Sequence, residues 1–152
     1  MASELKVDKF TGVTTAGSIL VTGEGNSTTT NLQQGLCKSW VNFNAQTIDG
    51  TADLTGVNDS FNVASIVDNG TGDHTVNFTN NMGNDDYSHM GSTHWDDTTN
   101  GIYTFGLPDN VTHSSYRTTG LLRYESAYVH ATANRTNFDG DECCITIHGD
   151  LA

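Results

Sequence analysis

The sequence predicts an all-β fold: a jelly-roll-like β-sandwich knob carrying an extended N-terminal arm. Three observations lead there. Apolar residues are 35% and charged residues 16% of the chain, against about 45–50% (Gly included) and about 25% for an ordinary soluble domain, and Thr, Asn, Ser and Gly fill the difference. No long segment repeats apolar residues every three or four positions, and strong helix formers are scarce. About six to eight short runs rich in β-branched and aromatic residues alternate with turn clusters. With 16 Gly and 1 Pro, the punctuation is by Gly, Asn and Asp. At 152 residues the chain is one ordinary domain with a short appended segment, long enough to hold a core without staples.

Residues 1–35 form the arm. They offer one apolar run, Ile19-Leu20-Val21, between Gly and Thr clusters, and a wholly polar stretch from Asn26 to Asn31. Such a segment builds no core alone. It is expected to order against other subunits through Leu5, Val7, Phe10, Ile19, Leu20 and Val21, the plain alternative being a floppy tail. The knob takes residues 36–152. Leu36–Asn44 reads as a strand, with Leu36, Lys38 and Trp40 on one face and Cys37, Val41 and Phe43 on the other. Ala45–Asn58 is a loop. Ser60–Val67, a turn at Asp68–Asp73 and His74–Thr79 form a hairpin, its Asn-Gly supplying the positive φ such a connection needs. Phe61, Val63 and Val67 are placed on one face, Val76 and Phe78 on one face of the partner. Residues 80–120 are loop-rich, with short strands at Tyr87–Met90 and Ile102–Phe105. Tyr124–Ala131 and Glu142–His148 close the chain as strands, the last pointing Cys143, Ile145 and Ile147 inward within a sheet.

The formal charge is −12, from 6 cations and 18 anions. This argues against nucleic acid, which needs a Lys/Arg stripe, and against an anionic membrane surface. No apolar run is long enough to span a bilayer, and the N-terminus lacks a secretory pattern. Three cysteines, Cys37, Cys143 and Cys144, are too few and odd for a disulfide framework. Cys143 and Cys144 are adjacent on a strand and should face opposite ways, which suits neither a vicinal disulfide nor a shared metal.

The strand Leu36–Asn44, the stretch Asp59–Val63 and the run Asp68 through Phe78 resemble a family of bacteriophage virion proteins, tail-fibre-like or other virion-surface proteins common in marine cyanophages. The opening Ser3–Lys9 and the closing Ile145–Asp150 are similar to the arm and last strand of that group. Two departures stand out: a longer Ala45–Asn58 connection, and no proline after Met82. The resemblance implies a non-enzymatic, homotrimeric all-β module of the virion, assembled in the host cytoplasm alongside other tail or capsid proteins. A Gly- and Thr-rich arm suits three chains clasped about an axis, and a trimer covers sheet edges.

Asp85, Asp86, His89, His94, Asp96 and Asp97 gather around Trp95. The functional reading is a divalent-metal site or a sugar-binding rim; the plain one is a solvated polar loop, since sequence proximity does not make ligands converge. Asp139-Gly140-Asp141-Glu142 lacks the full calcium-loop pattern and reads as a turn. No carboxylate pair is fixed at glycosidase spacing, no Gly-x-Ser-x-Gly elbow occurs, and Gly23-Glu24-Gly25 and Gly70-Thr71-Gly72 are not phosphate loops. Asn-x-Ser/Thr triplets follow from composition alone. Trp40, Phe43, Phe61 and Phe78 are assigned to the core. Tyr103 and Phe105 are assigned to a second small core or a trimer contact. Aromatic faces beside carboxylates and amides are what a saccharide needs, so Tyr87, His89, Trp95, Asp96, Asp97 and Tyr116 are the candidate host-glycan residues. No catalytic residue, metal or cofactor is assigned. The expected function is a tail fibre or similar appendage, with a capsid decoration protein or a stand-alone carbohydrate-binding module as alternatives.

Overall fold

The computed structural model describes residues 4–12, 19–23, 25, 27–96, 102–108, 113–129 and 135–151. The chain divides into two units, Met1–Leu36 and Cys37–Ala152.

In the first unit β1 (Leu20–Thr22) pairs antiparallel with β2 (Thr29–Asn31), and α1 (Leu32–Gly35) follows. Asn31 caps that single turn, its side-chain oxygen accepting from Gln33 N–H at 2.8 Å. None of the described residues of this unit is buried. Leu5, Val7, Phe10, Leu20 and Val21 are each at least half exposed. A two-stranded hairpin with no apolar face under cover is marginal in water.

The second unit holds β3 (Cys37–Phe43), a 3-10 turn at Ala45–Thr47, β4 (Val57–Phe61), β5 (Val63–Gly70), β6 (Asp73–Phe78), β7 (Ser88–His94), β8 (Ile102–Gly106), α2 (His113–Tyr116), β9 (Arg117–Thr118), β10 (Leu121–Val129), β11 (Arg135–Asn137) and β12 (Glu142–His148). One sheet runs β4-β3-β12-β7, antiparallel throughout. The other is built on β10. Along one edge its first half pairs with β6 and its end with β11; β9 and β8 take the opposite edge, and β5 lies outside β6. The inner faces share one core, with Val41, Phe43, Cys143, Ile145 and Ile147 from the first sheet and Ile66, Val76, Phe78, Leu122 and Tyr124 from the second. The fold is therefore the all-β sandwich that the composition and alternation predict.

Three local expectations need correction. The run Ser60–Val67 is not one strand: Asn62 sits at φ 58°, and the chain leaves one sheet there and enters the other. Asn tolerates this left-handed backbone, and its side chain clamps the corner, donating to the Lys38 and Asn80 carbonyls at 3.0 Å each and accepting from Asn80 N–H at 2.7 Å. A register shift between Val63 and Ser65 then reverses the phase, so Ile66 is buried and Val67 is not. Phe61 accordingly shares no face with Val63; it lies on the sandwich exterior, 51% exposed, beside its cross-strand neighbour Trp40. The assignment of Trp40 and Phe61 to the core is thus overturned, while Phe43 and Phe78 are buried. The third correction is at the hairpin tip, where positive φ falls on Gly70 and Gly72 rather than Asn69.

Where the two sheets close at β7 and β8, Phe105 covers Gly91; a Cβ there would lie 2.2 Å from the ring. Phe105 stacks on Tyr124 at 4.7 Å and packs against the main core, not in a second small one.

Candidate functional site

The candidate glycan residues separate along β7. Tyr87 and Trp95 are eight positions apart, on the order of 25 Å of extended chain, so they form no single patch.

At the first end, Tyr87 is 2% exposed. Its hydroxyl donates to the Leu121 carbonyl at 2.7 Å, and its ring meets Phe78 edge-on at 5.8 Å. Arg117 lies over the ring at 5.7 Å. Burial pushes the phenol far above its ordinary range. Tyr87 is therefore a core residue, and its place among ligand-facing groups is corrected. His89 is half-buried on β7, its proton affinity lowered by burial and by Arg117. Tyr116 is half-buried in α2, next to Arg117.

At the other end, Trp95 follows the last residue of β7. Its indole stacks on Phe138 at 5.1 Å and 22° and lies 5.6 Å from Tyr128. Tyr103 donates its hydroxyl to the Trp95 carbonyl at 3.4 Å. Asp141, just before β12, organises this corner. Its carboxylate accepts from Asp96 N–H at 2.7 Å and sits 3.3 Å from His94 Nδ1, while its own N–H donates to the His94 carbonyl at 3.1 Å. Trp95 is half-buried and Asp96 exposed; Asp97 lies outside the described residues. A half-buried indole beside an exposed carboxylate and an imidazole offers the residue types that stack on a sugar ring and bond its hydroxyls.

The sequence reading missed a third cluster. His74 on β6 is 0% exposed and stacks on Tyr124 at 5.6 Å and 13°. Neither ring nitrogen of His74 nor the Tyr124 hydroxyl makes a hydrogen bond. The Asp139 carboxylate lies 3.9 Å from His74 Nε2 but accepts instead from Gly72 N–H at 2.6 Å. Burial lowers the proton affinity of His74, outweighing Asp139, Asp68, the Ala45 carbonyl and Asp73, which all favour the charged ring. The unfolded chain thus takes up a proton near the ordinary 6.5 that the folded chain refuses. Folding stability should be fully present above that pH and fall as pH drops below it, toward the lower folded-state value. Urea midpoints measured between pH 7 and pH 5 should decline for the natural chain, and His74→Phe should flatten that decline. An equal slope in both would contradict it.

Two arginines of the second unit pair with carboxylates. Arg123 grips the Asp73 carboxylate with two nitrogens, Nε to Oδ1 at 2.7 Å, and Arg135 pairs with the nearly buried Glu125. The cysteines are free thiols; burial pushes Cys143 up to about 11, leaving it unreactive at neutral pH. Among the described residues no group of three or more His, Cys, Asp or Glu converges as a metal cage.

Fold and site together define an all-β sandwich. Comparison with protein-family models, curated proteins and solved structures found no match.

Proposed function

We propose that this chain is a non-enzymatic structural protein of a phage virion, a tail fibre or similar surface appendage. Residues 1–35 attach it to its neighbours and the β-sandwich is displayed. The observation that carries this reading is the first unit: none of its described residues is buried, and six large apolar side chains among them, Leu36 included, stand at least half exposed. A segment of that kind gains stability by covering those side chains on another surface. The sandwich supplies the complementary property, a self-sufficient core under an acidic exterior that keeps a crowded particle surface from aggregating. The family resemblance gives the virion setting, and a homotrimer among other tail or capsid proteins follows from it. A capsid decoration protein would use the same two parts. Particles assembled with a chain lacking residues 1–30 should contain almost none of it; normal incorporation would remove the attachment role.

A second reading, carbohydrate binding, draws on the half-buried indole of Trp95 beside Asp96 and His94. It predicts that the full chain retains host glycans on an array and that Trp95→Ala lowers binding about tenfold or more, as loss of one stacking ring at about 1.5 kcal/mol implies. No retention by the natural chain would discard it.

A further inference from the structure

The segment between β11 and β12, residues 138–141, joins the Trp95 corner to the buried histidine. Phe138 stacks on the Trp95 indole at 5.1 Å. Asp141 accepts from Asp96 N–H at 2.7 Å and sits 3.3 Å from His94 Nδ1. Between them Asp139 reaches inward. Its Oδ1 accepts from Gly72 N–H at 2.6 Å and stops 3.9 Å from Nε2 of His74, which is 0% exposed. That is about 1 Å more than a charge-assisted hydrogen bond needs. Neither ring nitrogen of His74 has a hydrogen-bond partner.

We infer that His74 is a proton-operated latch for the Trp95 corner: on taking up a proton it draws the Asp139 carboxylate inward, and the segment carrying Asp139 shifts Phe138 and Asp141 beneath Trp95 and Asp96. The carbohydrate reading of that corner, on which the functional sense of the latch rests, thereby gains a regulation by pH. A charged imidazole inside a core has two N–H donors and must find an acceptor. The groups around it select Asp139. Burial holds the proton off; among the carboxylates that oppose burial Asp139 acts most strongly, ahead of Asp68 on β5 and Asp73 on its own strand. Asp73 is held by two nitrogens of Arg123, and Asp68 accepts from Gly70 N–H at 2.7 Å. The Ala45 carbonyl favours the charged ring too, but it is backbone and carries no charge. From β3 and β10 the neighbours are the rings of Phe43 and Tyr124, and beside Tyr124 lies the Cys143 thiol of β12; burial keeps that phenol and that thiol neutral. The segment has little slack. A Cβ on Gly140 would run into Thr93 Oγ1 and lie 2.9 Å from the His94 carbonyl, so a shift at Asp139 is passed to the end of β7.

The test follows Trp95 by fluorescence and near-ultraviolet circular dichroism in the full chain from pH 7 to pH 4, with far-ultraviolet dichroism at every point. Trp40→Phe removes the only other tryptophan. The Trp95 signal should change below the ordinary histidine value of 6.5 while the far-ultraviolet signal holds. His74→Phe should abolish the change. His94→Gln, which removes the exposed imidazole next to Trp95 in sequence, should leave it. Asp139→Asn keeps an oxygen for Gly72 N–H but no charge, and should move the midpoint down by about one pH unit. A flat Trp95 signal, a change that survives His74→Phe, one lost with His94→Gln, an unmoved midpoint in Asp139→Asn, or a change that comes only with loss of the far-ultraviolet signal would each overturn the inference. Glycan-array retention at pH 7 and pH 5 separates the two ideas. An optical transition without retention at either pH discards the carbohydrate reading and leaves the latch; equal retention at both with no transition does the reverse.

Discussion

Replacing Phe43 by alanine should cost the sandwich about 3–5 kcal/mol, the usual range for removing a fully buried phenylalanine. Phe43 is 0% exposed on the inner face of β3, opposite Cys143 on β12. Its ring meets Tyr124 edge-on at 5.7 Å and lies 6.2 Å from His74. Deleting it opens a cavity against two rings that belong to the other sheet, so both layers lose contacts at once. One circumstance moderates the cost. The cavity would border the unbonded polar atoms of His74 and Tyr124, and water entering it would satisfy them. The measurement is urea unfolding with an unchanged slope, with Phe61→Ala as its partner. Phe61 is 51% exposed, so its truncation should cost within about 1 kcal/mol. Equal losses at the two positions would mean that the inner and outer faces have been assigned wrongly.

That pair of phenylalanines marks how far the sequence could be read. Glu142–His148 is the favourable case. Strict alternation put Cys143, Ile145 and Ile147 inside, and they are 0%, 2% and 1% exposed. The turn between β5 and β6 was legible because Gly70 and Gly72 punctuate it, although the phase of β5 was not. Ser60–Val67 was not, because a continuous β-prone run hides a change of sheet. The only local trace of that change is Asn62, a residue tolerant of positive φ, and the decisive bonds come from Lys38 and Asn80, distant in sequence. Residue type alone assigns Trp40 and Phe61 to the core; their outward position follows only from which strand each pairs with.

The candidate site was less legible still. His74 shares its alternation with Val76 and Phe78, so period two alone puts it in the core. The burial of Tyr87 is not legible locally, since its partners Leu121 and Arg117 lie some thirty residues along. Trp95 and Asp96 were found from their neighbours in sequence. Asp141, which holds them in place, comes from the far end of the chain, and nothing local links it to β7.

Gly72→Ala should destabilise the sandwich by at least about 3 kcal/mol, through two additive causes. At φ +70° an L-residue is strained, costing roughly 1–3 kcal/mol when the surroundings fix it. The new methyl would also lie 2.4 Å from the Ser126 carbonyl oxygen and 2.8 Å from the Phe138 nitrogen, and backbone cannot swing aside as a flexible side chain does. Relief requires lifting the hairpin tip. That breaks the 2.6 Å bond from Gly72 N–H to Asp139 and the 2.8 Å bond from Ser126 N–H to the Gly72 carbonyl. It also loosens the seam between β10 and the loop that carries Phe138 beneath Trp95. A control lies in Gly50, where a Cβ meets nothing within 4 Å and φ is not positive. Gly50→Ala should therefore change stability by no more than about 0.5 kcal/mol. Thermal unfolding of the two variants separates close approach from a general intolerance of alanine, and a Gly72→Ala chain that melts with the natural one would show that the tip does not rest on residues 126 and 138. Because Trp95 stacks on Phe138, the same variant should also change the tryptophan environment in near-ultraviolet circular dichroism, which Gly50→Ala should leave alone.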